Sequence, residues 1–132
     1  MNARPAGCGE LALAALYLAP TPEREGALRR AAGALDDWET TLVALEAHGV
    51  LGLARRNLAH ARVALPPAVQ ARLDERAAVL CAVARGFRLT LERYLAEAAR
   101  AGLEVTLLKG ASLALDLYPE GGLRAQGDLD LL

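Results

Sequence analysis

Two aspartates stand one residue apart in GDLDLL, residues 127–132. In extended backbone, side chains at i and i+2 share a face, so Asp128 and Asp130 would stand about 7 Å apart along a strand. Leu129 and Leu131 would then face the other way, into a core. Two carboxylates so close repel unless a cation lies between or in front of them. Magnesium suits such a place: it takes hard oxygen ligands, keeps several waters, and is commonly held by one or two carboxylates together with substrate phosphates. Two-metal phosphoryl transfer uses a clamp of this kind. The plain alternative is a strand end where both aspartates face water.

A second constellation lies upstream, in LLKGAS at 107–112. A glycine where a strand gives way to a helix lets a phosphate approach the backbone, and the free N–H groups of the helix point at it. Gly110 fills that position, Ser112 adds a hydroxyl in the first turn, and Lys109 adds a point charge. Lys109 is the sole lysine among fifteen basic residues. It either contacts phosphate or lays its stem along apolar surface.

The elements that must position these residues are mostly helical. An apolar helix is expected over 11–18, and Thr21 caps a second that starts at Pro22 and runs to about Leu35. Asp36 or Asp37 caps a third carrying Trp38, Leu42 and Leu45, with Gly49 just past its end. A fourth covers 50–61. Pro66-Pro67 opens the longest, where Val69, Leu73, Ala77, Leu80, Ala84, Phe87, Leu91, Leu95 and Ala98 form one apolar stripe. Its charged face, from Arg72 to Arg100, reads as solvated with local ion pairs. Gly102 ends it.

The period then changes. Residues 103–109 are predicted as a buried strand, and 111–118 as a helix with Leu113 and Leu117 inward and Ala114 a further inward candidate. PEGG is a turn, and 127–132 a second strand. The expected fold is mostly α with a short α/β C-terminal piece, divided into a helical region (1–102) and a strand–helix–strand region (103–132).

Composition supports this: 54% of the 132 residues are hydrophobic and only five are aromatic, with Ala and Leu, the best helix formers, prominent. A net charge of −1 and few aromatics disfavour nucleic acid as a partner. No apolar run is long enough to span a membrane, and 11–19 lacks the flanks of a secretory signal. Cys8 and Cys81 have no metal or redox spacing, so a cytoplasmic location is expected. His48 and His60 read as helix-end or surface residues, and Tyr17, Trp38, Phe87 and Tyr94 as core. Tyr118 is expected to pack beneath the acidic strand.

The stretch LLKGASLALDLYPEGGLRAQGDLDLL resembles the core signature of a nucleotidyltransferase-like family within the DNA polymerase β superfamily. That signature is a Lys-Gly, an apolar helix, a Tyr-Pro, and an Arg a few residues before Gly-Asp-[Ile/Leu]-Asp. Lys109, Gly110, Tyr118, Pro119, Arg124, Gly127, Asp128 and Asp130 carry it here. Upstream, DWE (37–39), HGV (48–50) and RNL (56–58) are similar to the family's N-terminal part, so the likeness covers about 36–132. It implies the start of a polymerase β-like core, with Asp128 and Asp130 binding magnesium in a two-metal site beside a nucleoside triphosphate such as ATP. Lys109, Gly110, Ser112 and Arg124 would serve the nucleotide. Lys109-Gly110 stands where the superfamily has a phosphate-binding Gly-Ser pair, with Ser112 two residues later. Arg124 would either neutralise a phosphate or anchor the turn through carbonyls.

The implied reaction is metal-dependent transfer of a nucleotidyl group from an NTP to an unknown acceptor: a small molecule, peptide or protein. The superfamily also uses a third carboxylate on a later strand, and neither Asp116 nor Glu120 holds that position. On this reading the sequence is a truncated piece of a longer nucleotidyltransferase, expected to be inactive by itself, with an open sheet edge able to self-associate. The alternative is a non-catalytic helical protein-interaction module carrying a remnant of the motif.

Overall fold

The computed structural model describes residues 7–118, 120–125 and 130–132. The architecture is mostly helical with a small two-stranded antiparallel sheet near the C-terminal end, as the sequence pattern predicts. Compactness divides the chain into two units, Met1–Ala77 and Ala78–Leu132. The change from helical to strand-forming sequence near Gly102 lies inside the second.

The first unit holds α1 (Cys8–Ala15), α2 (Pro22–Gly33), α3 (Trp38–Ala47), α4 (Leu51–His60) and the opening turns of α5 (Pro67–Arg100). Local chemistry sets the boundaries. Thr21 Oγ1 accepts from the Arg24 amide at 3.3 Å, with Pro22 in the first turn. Asp37, rather than Asp36, caps α3, accepting from the Thr40 amide at 3.0 Å and the Thr40 hydroxyl at 2.6 Å. These two donors, the hydroxyl foremost, hold the Asp37 carboxyl below its ordinary range.

Gly49 (φ 67°) ends α3: its amide reaches Glu46 O at 2.9 Å and the next amide reaches Leu45 O at 3.0 Å. This is the paired closure of a left-handed C-terminal cap. Gly102 (φ 68°) closes α5 the same way, onto Ala99 O and Ala98 O. After α4 the same closure falls on Arg62 (φ 52°), a side chain where glycine is favoured.

The core of this unit is leucine-built: Leu11, Leu28, Leu45, Leu51, Leu58 and Leu73 are buried almost completely. One polar pair enters it. Asn57 is wholly buried, and its amide nitrogen donates to Ala15 O at 2.6 Å and Tyr17 O at 2.8 Å. Its amide oxygen accepts from Arg56 Nε at 3.0 Å and Nη2 at 2.9 Å. Arg56 Nη2 also donates to Tyr17 O and Leu18 O, each at 3.0 Å. The last turn of α1 leaves carbonyls without helical partners; Asn57 satisfies that of Ala15, and the two side chains together hold Tyr17 O and Leu18 O just past the helix. The RNL stretch is therefore an internal clasp on α1. Among the described residues, no carboxylate pairs with Arg56.

The second unit contains the rest of α5, β1 (Leu107–Leu108), α6 (Lys109–Asp116) and β2 (Asp130–Leu131). The strands pair with Leu107 opposite Leu131 and Leu108 opposite Asp130. Thr106 and Leu132 exchange both backbone hydrogen bonds, at 2.8 and 3.0 Å. Pairing in β1 is shorter than the predicted 103–109, because the left-handed backbone of Lys109 (φ 49°) turns the extended chain at Leu108 directly into α6. At its far end α6 stops at Asp116 rather than 118. Tyr118 precedes a proline, which disfavours helical backbone there.

Several burial expectations are corrected: Leu131, expected to face a core, is 36% exposed, and Leu103, in the strand expected to be buried, is 65% exposed. Leu113 and Leu117 are 42% and 55% exposed. Ala111 is buried instead, and Ala111 and Ala114 line the groove between α6 and α5. Tyr94 is 58% exposed, since no described element covers that side of α5. Tyr17, by contrast, is buried, and its hydroxyl has no hydrogen-bond partner among the described residues.

Candidate functional site

The register sets the site. Leu108 opposes Asp130, so the residue after Leu108 lands beside that carboxylate. Lys109 Nζ lies 2.8 Å from Asp130 Oδ2. The ammonium is 75% exposed and the carboxylate 33% exposed, which leaves the pair open to solvent and to exchange of partners. Its geometry starts in the backbone: the positive φ of Lys109 is a sparsely populated conformation for a lysine, of the sort that concentrates at functional turns.

The next residue is held from the opposite direction. Arg124 Nη1 donates to Gly110 O at 2.9 Å. A Cβ built on Gly110 would sit 2.9 Å from the same nitrogen, so the glycine lets the guanidinium close over the turn. The N-cap of α6 is Leu108, which supplies no side-chain acceptor. Amides of the first turn are therefore left without a capping group.

Ser112 is engaged elsewhere: its Oγ donates to Asp116 Oδ2 at 3.1 Å, one turn along α6. Sequence reasoning places Lys109, Gly110, Ser112, Arg124 and Asp130 in one neighbourhood. The structure pairs Lys109 with Asp130 and Gly110 with Arg124, and turns Ser112 toward Asp116. Asp128, Gly127 and Pro119 lie outside the described residues.

Asp130 has the donor chemistry that magnesium takes, a partly exposed carboxylate. Among the described residues no cluster of three His, Cys, Asp or Glu side chains surrounds it. His48 is the C-cap of α3 and His60 the last residue of α4. No helix among the described residues is long and apolar enough to cross a membrane.

Sequence reasoning did not find the groove in this unit. Residues 111, 114 and 115 share one face of α6 at the usual three- and four-residue steps, and Tyr118 follows just beyond the helix. This face and α5 flank a cavity of about 710 Å³, closed by the turn at 120–124. Gly122 makes the closure possible: its φ is 85°, and a Cβ there would lie 2.8–3.0 Å from Sγ, N and Cα of Cys81. The double glycine at 121–122 was the available signal, legible as a turn but not as a docking point.

An acidic strand is thus set against a glycine-bearing, basic strand-to-helix turn. Residues 35–132 match a family described as "uncharacterised nucleotidyltransferase", and the chain belongs to that family. No curated protein and no solved structure matches it.

Proposed function

We propose that this chain carries the donor half of a magnesium-dependent nucleotidyl-transfer site of the polymerase β kind. Asp128 and Asp130 would hold the metal, and the Lys109–Ser112 turn would receive the triphosphate of an NTP such as ATP. The observation that carries this reading is the 2.8 Å contact between Lys109 Nζ and Asp130 Oδ2, which puts a cation of the turn beside a carboxylate of the strand. Bound magnesium would draw charge from the phosphates as a Lewis acid.

The residues of the chain divide the remaining work. Lys109 neutralises Asp130 in the free protein and transfers its ammonium to the incoming phosphates. Arg124 fixes Gly110 through Nη1 and keeps its other nitrogens for an anion. Ser112 can exchange Asp116 for a phosphate oxygen. The acceptor is left open by this geometry.

Calorimetric titration with Mg-ATP tests the proposal. Binding that needs magnesium and weakens at least tenfold in Asp130→Asn is expected. The absence of magnesium-dependent binding to the wild-type chain would refute it. It would favour the second reading, a helical interaction module, for which the exposed Leu113 and Leu115 of α6 and Leu117 at its C-cap provide a surface.

A further inference from the structure

The groove between α5 and α6 carries an assignment independent of nucleotidyl transfer. Its volume of about 710 Å³ falls within the range of sites that enclose small molecules, roughly 300–1,000 Å³. The floor is apolar, formed by Leu91, Ala111, Ala114 and Leu115, and Phe87 of α5 and Tyr118, two residues past α6, each contribute a ring. At the closed end Gly122 packs directly on the α5 backbone, and Cys81 Sγ donates to Gly121 O at 3.2 Å.

Charge selects among possible occupants. Three guanidinium groups, Arg85, Arg88 and Arg124, line the groove against two carboxylates, Glu92 and Glu120. Arg88 Nε is bonded to Glu92 at 3.0 Å, and Arg124 spends Nη1 on Gly110 O. Arg85 makes no hydrogen bond or ion pair with any described residue, and Glu120 is likewise unpaired. The lining is net positive by one charge, with a free guanidinium whose planar fork suits an oxyanion.

We propose that this groove binds a small organic anion, a ring bearing one phosphate or carboxylate, with the ring between Phe87 and Tyr118 and the anionic group on Arg85.

Cys81 lines the groove and is exposed, whereas Cys8 is buried, so the rate of Cys81 labelling by a thiol reagent reports occupancy. Phenyl phosphate and benzoate are titrated as probes, with benzyl alcohol as the neutral control. Saturable protection of Cys81 by either anion is expected, the more protective one identifying the preferred oxyanion. Apparent affinity should fall at least tenfold in Arg85→Glu and rise in Glu120→Gln, both surface changes that leave the circular dichroism unaltered. Protection should persist in Asp130→Asn, which separates this outcome from loss of nucleotide binding. Equal protection by benzyl alcohol, or an Arg85→Glu variant that binds as the wild type does, would overturn the proposal.

Discussion

Asn57→Ala removes the centre of the α1 clasp, and the structure sets the cost. Two groups lose every side-chain bond they have to Asn57 without an alternative: Ala15 O, reached at 2.6 Å, and Arg56 Nε, reached at 3.0 Å. Tyr17 O and Arg56 Nη2 remain bonded to each other at 3.0 Å. A buried polar group left unsatisfied costs about 1–3 kcal/mol, and more when it is charged, so the two orphans together cost about 3–4 kcal/mol. That is a large share of the roughly 5–15 kcal/mol of a typical domain.

The sole tryptophan, Trp38, begins α3 in the same unit, so its fluorescence in urea reads the affected part of the chain. With a slope of about 2 kcal/mol per molar, the midpoint should drop by about 1.5–2 M at unchanged slope. Asn57→Asp separates two explanations. If donors to Ala15 O and Tyr17 O matter most, the aspartate destabilises, because it offers those carbonyls only acceptors. If the buried charge of Arg56 is what needs compensation, the aspartate stabilises. A midpoint shift below about 0.5 M for the alanine variant, at the slope above, or a stabilised aspartate variant, would refute the reasoning.

Three further outcomes follow from the backbone and the caps. Gly122→Ala should destabilise the second unit by about 2–4 kcal/mol, from left-handed strain plus overpacking, because a Cβ would meet the Cys81 backbone at 2.9 Å. Gly102→Ala, with nothing within 4 Å, should cost only about 1 kcal/mol, and amide hydrogen exchange of α6 and the end of α5 would show the contrast. Arg62→Gly should raise stability by about 0.5–1 kcal/mol by relieving the left-handed arginine, read as a higher urea midpoint by Trp38 fluorescence. The Asp37 carboxyl lies below its ordinary range through its Thr40 donors. Its contribution is thus complete above the unfolded pKa of about 4 and lost as pH falls through the lower native value. Asp37→Asn should flatten that acid limb of the thermal-stability profile.

The helices were legible because their signals are local. Thr21-Pro22, Asp37, Gly49, Pro67 and Gly102 punctuate the chain, and each acts within one turn of itself. Arg62 was not legible as a cap, because the left-handed conformation there is imposed by its surroundings on a residue that does not prefer it. The orientation of α6 was misjudged for a related reason. Leu113 and Leu117 are the larger apolar residues of one stripe, yet the buried residue is Ala111, and the groove is lined by the stripe with Ala111 and Ala114. At the site, the resemblance put Lys109 and Asp130 in one neighbourhood, whereas their contact follows from a strand register, Leu108 opposite Asp130, that residue spacing does not specify. The engagement of Ser112 with Asp116 and of Arg124 with Gly110 depends on rotamers, which residue spacing does not specify.

The ammonium beside Asp130 has one chemical consequence. The chain contains a single ε-amine, three-quarters exposed and in contact with the carboxylate of β2. An acyl group added there would erase the only lysine charge and release Asp130 in one step. Intact-mass spectrometry would register that event as one increment, assignable to Lys109 apart from the chain's own terminal amine.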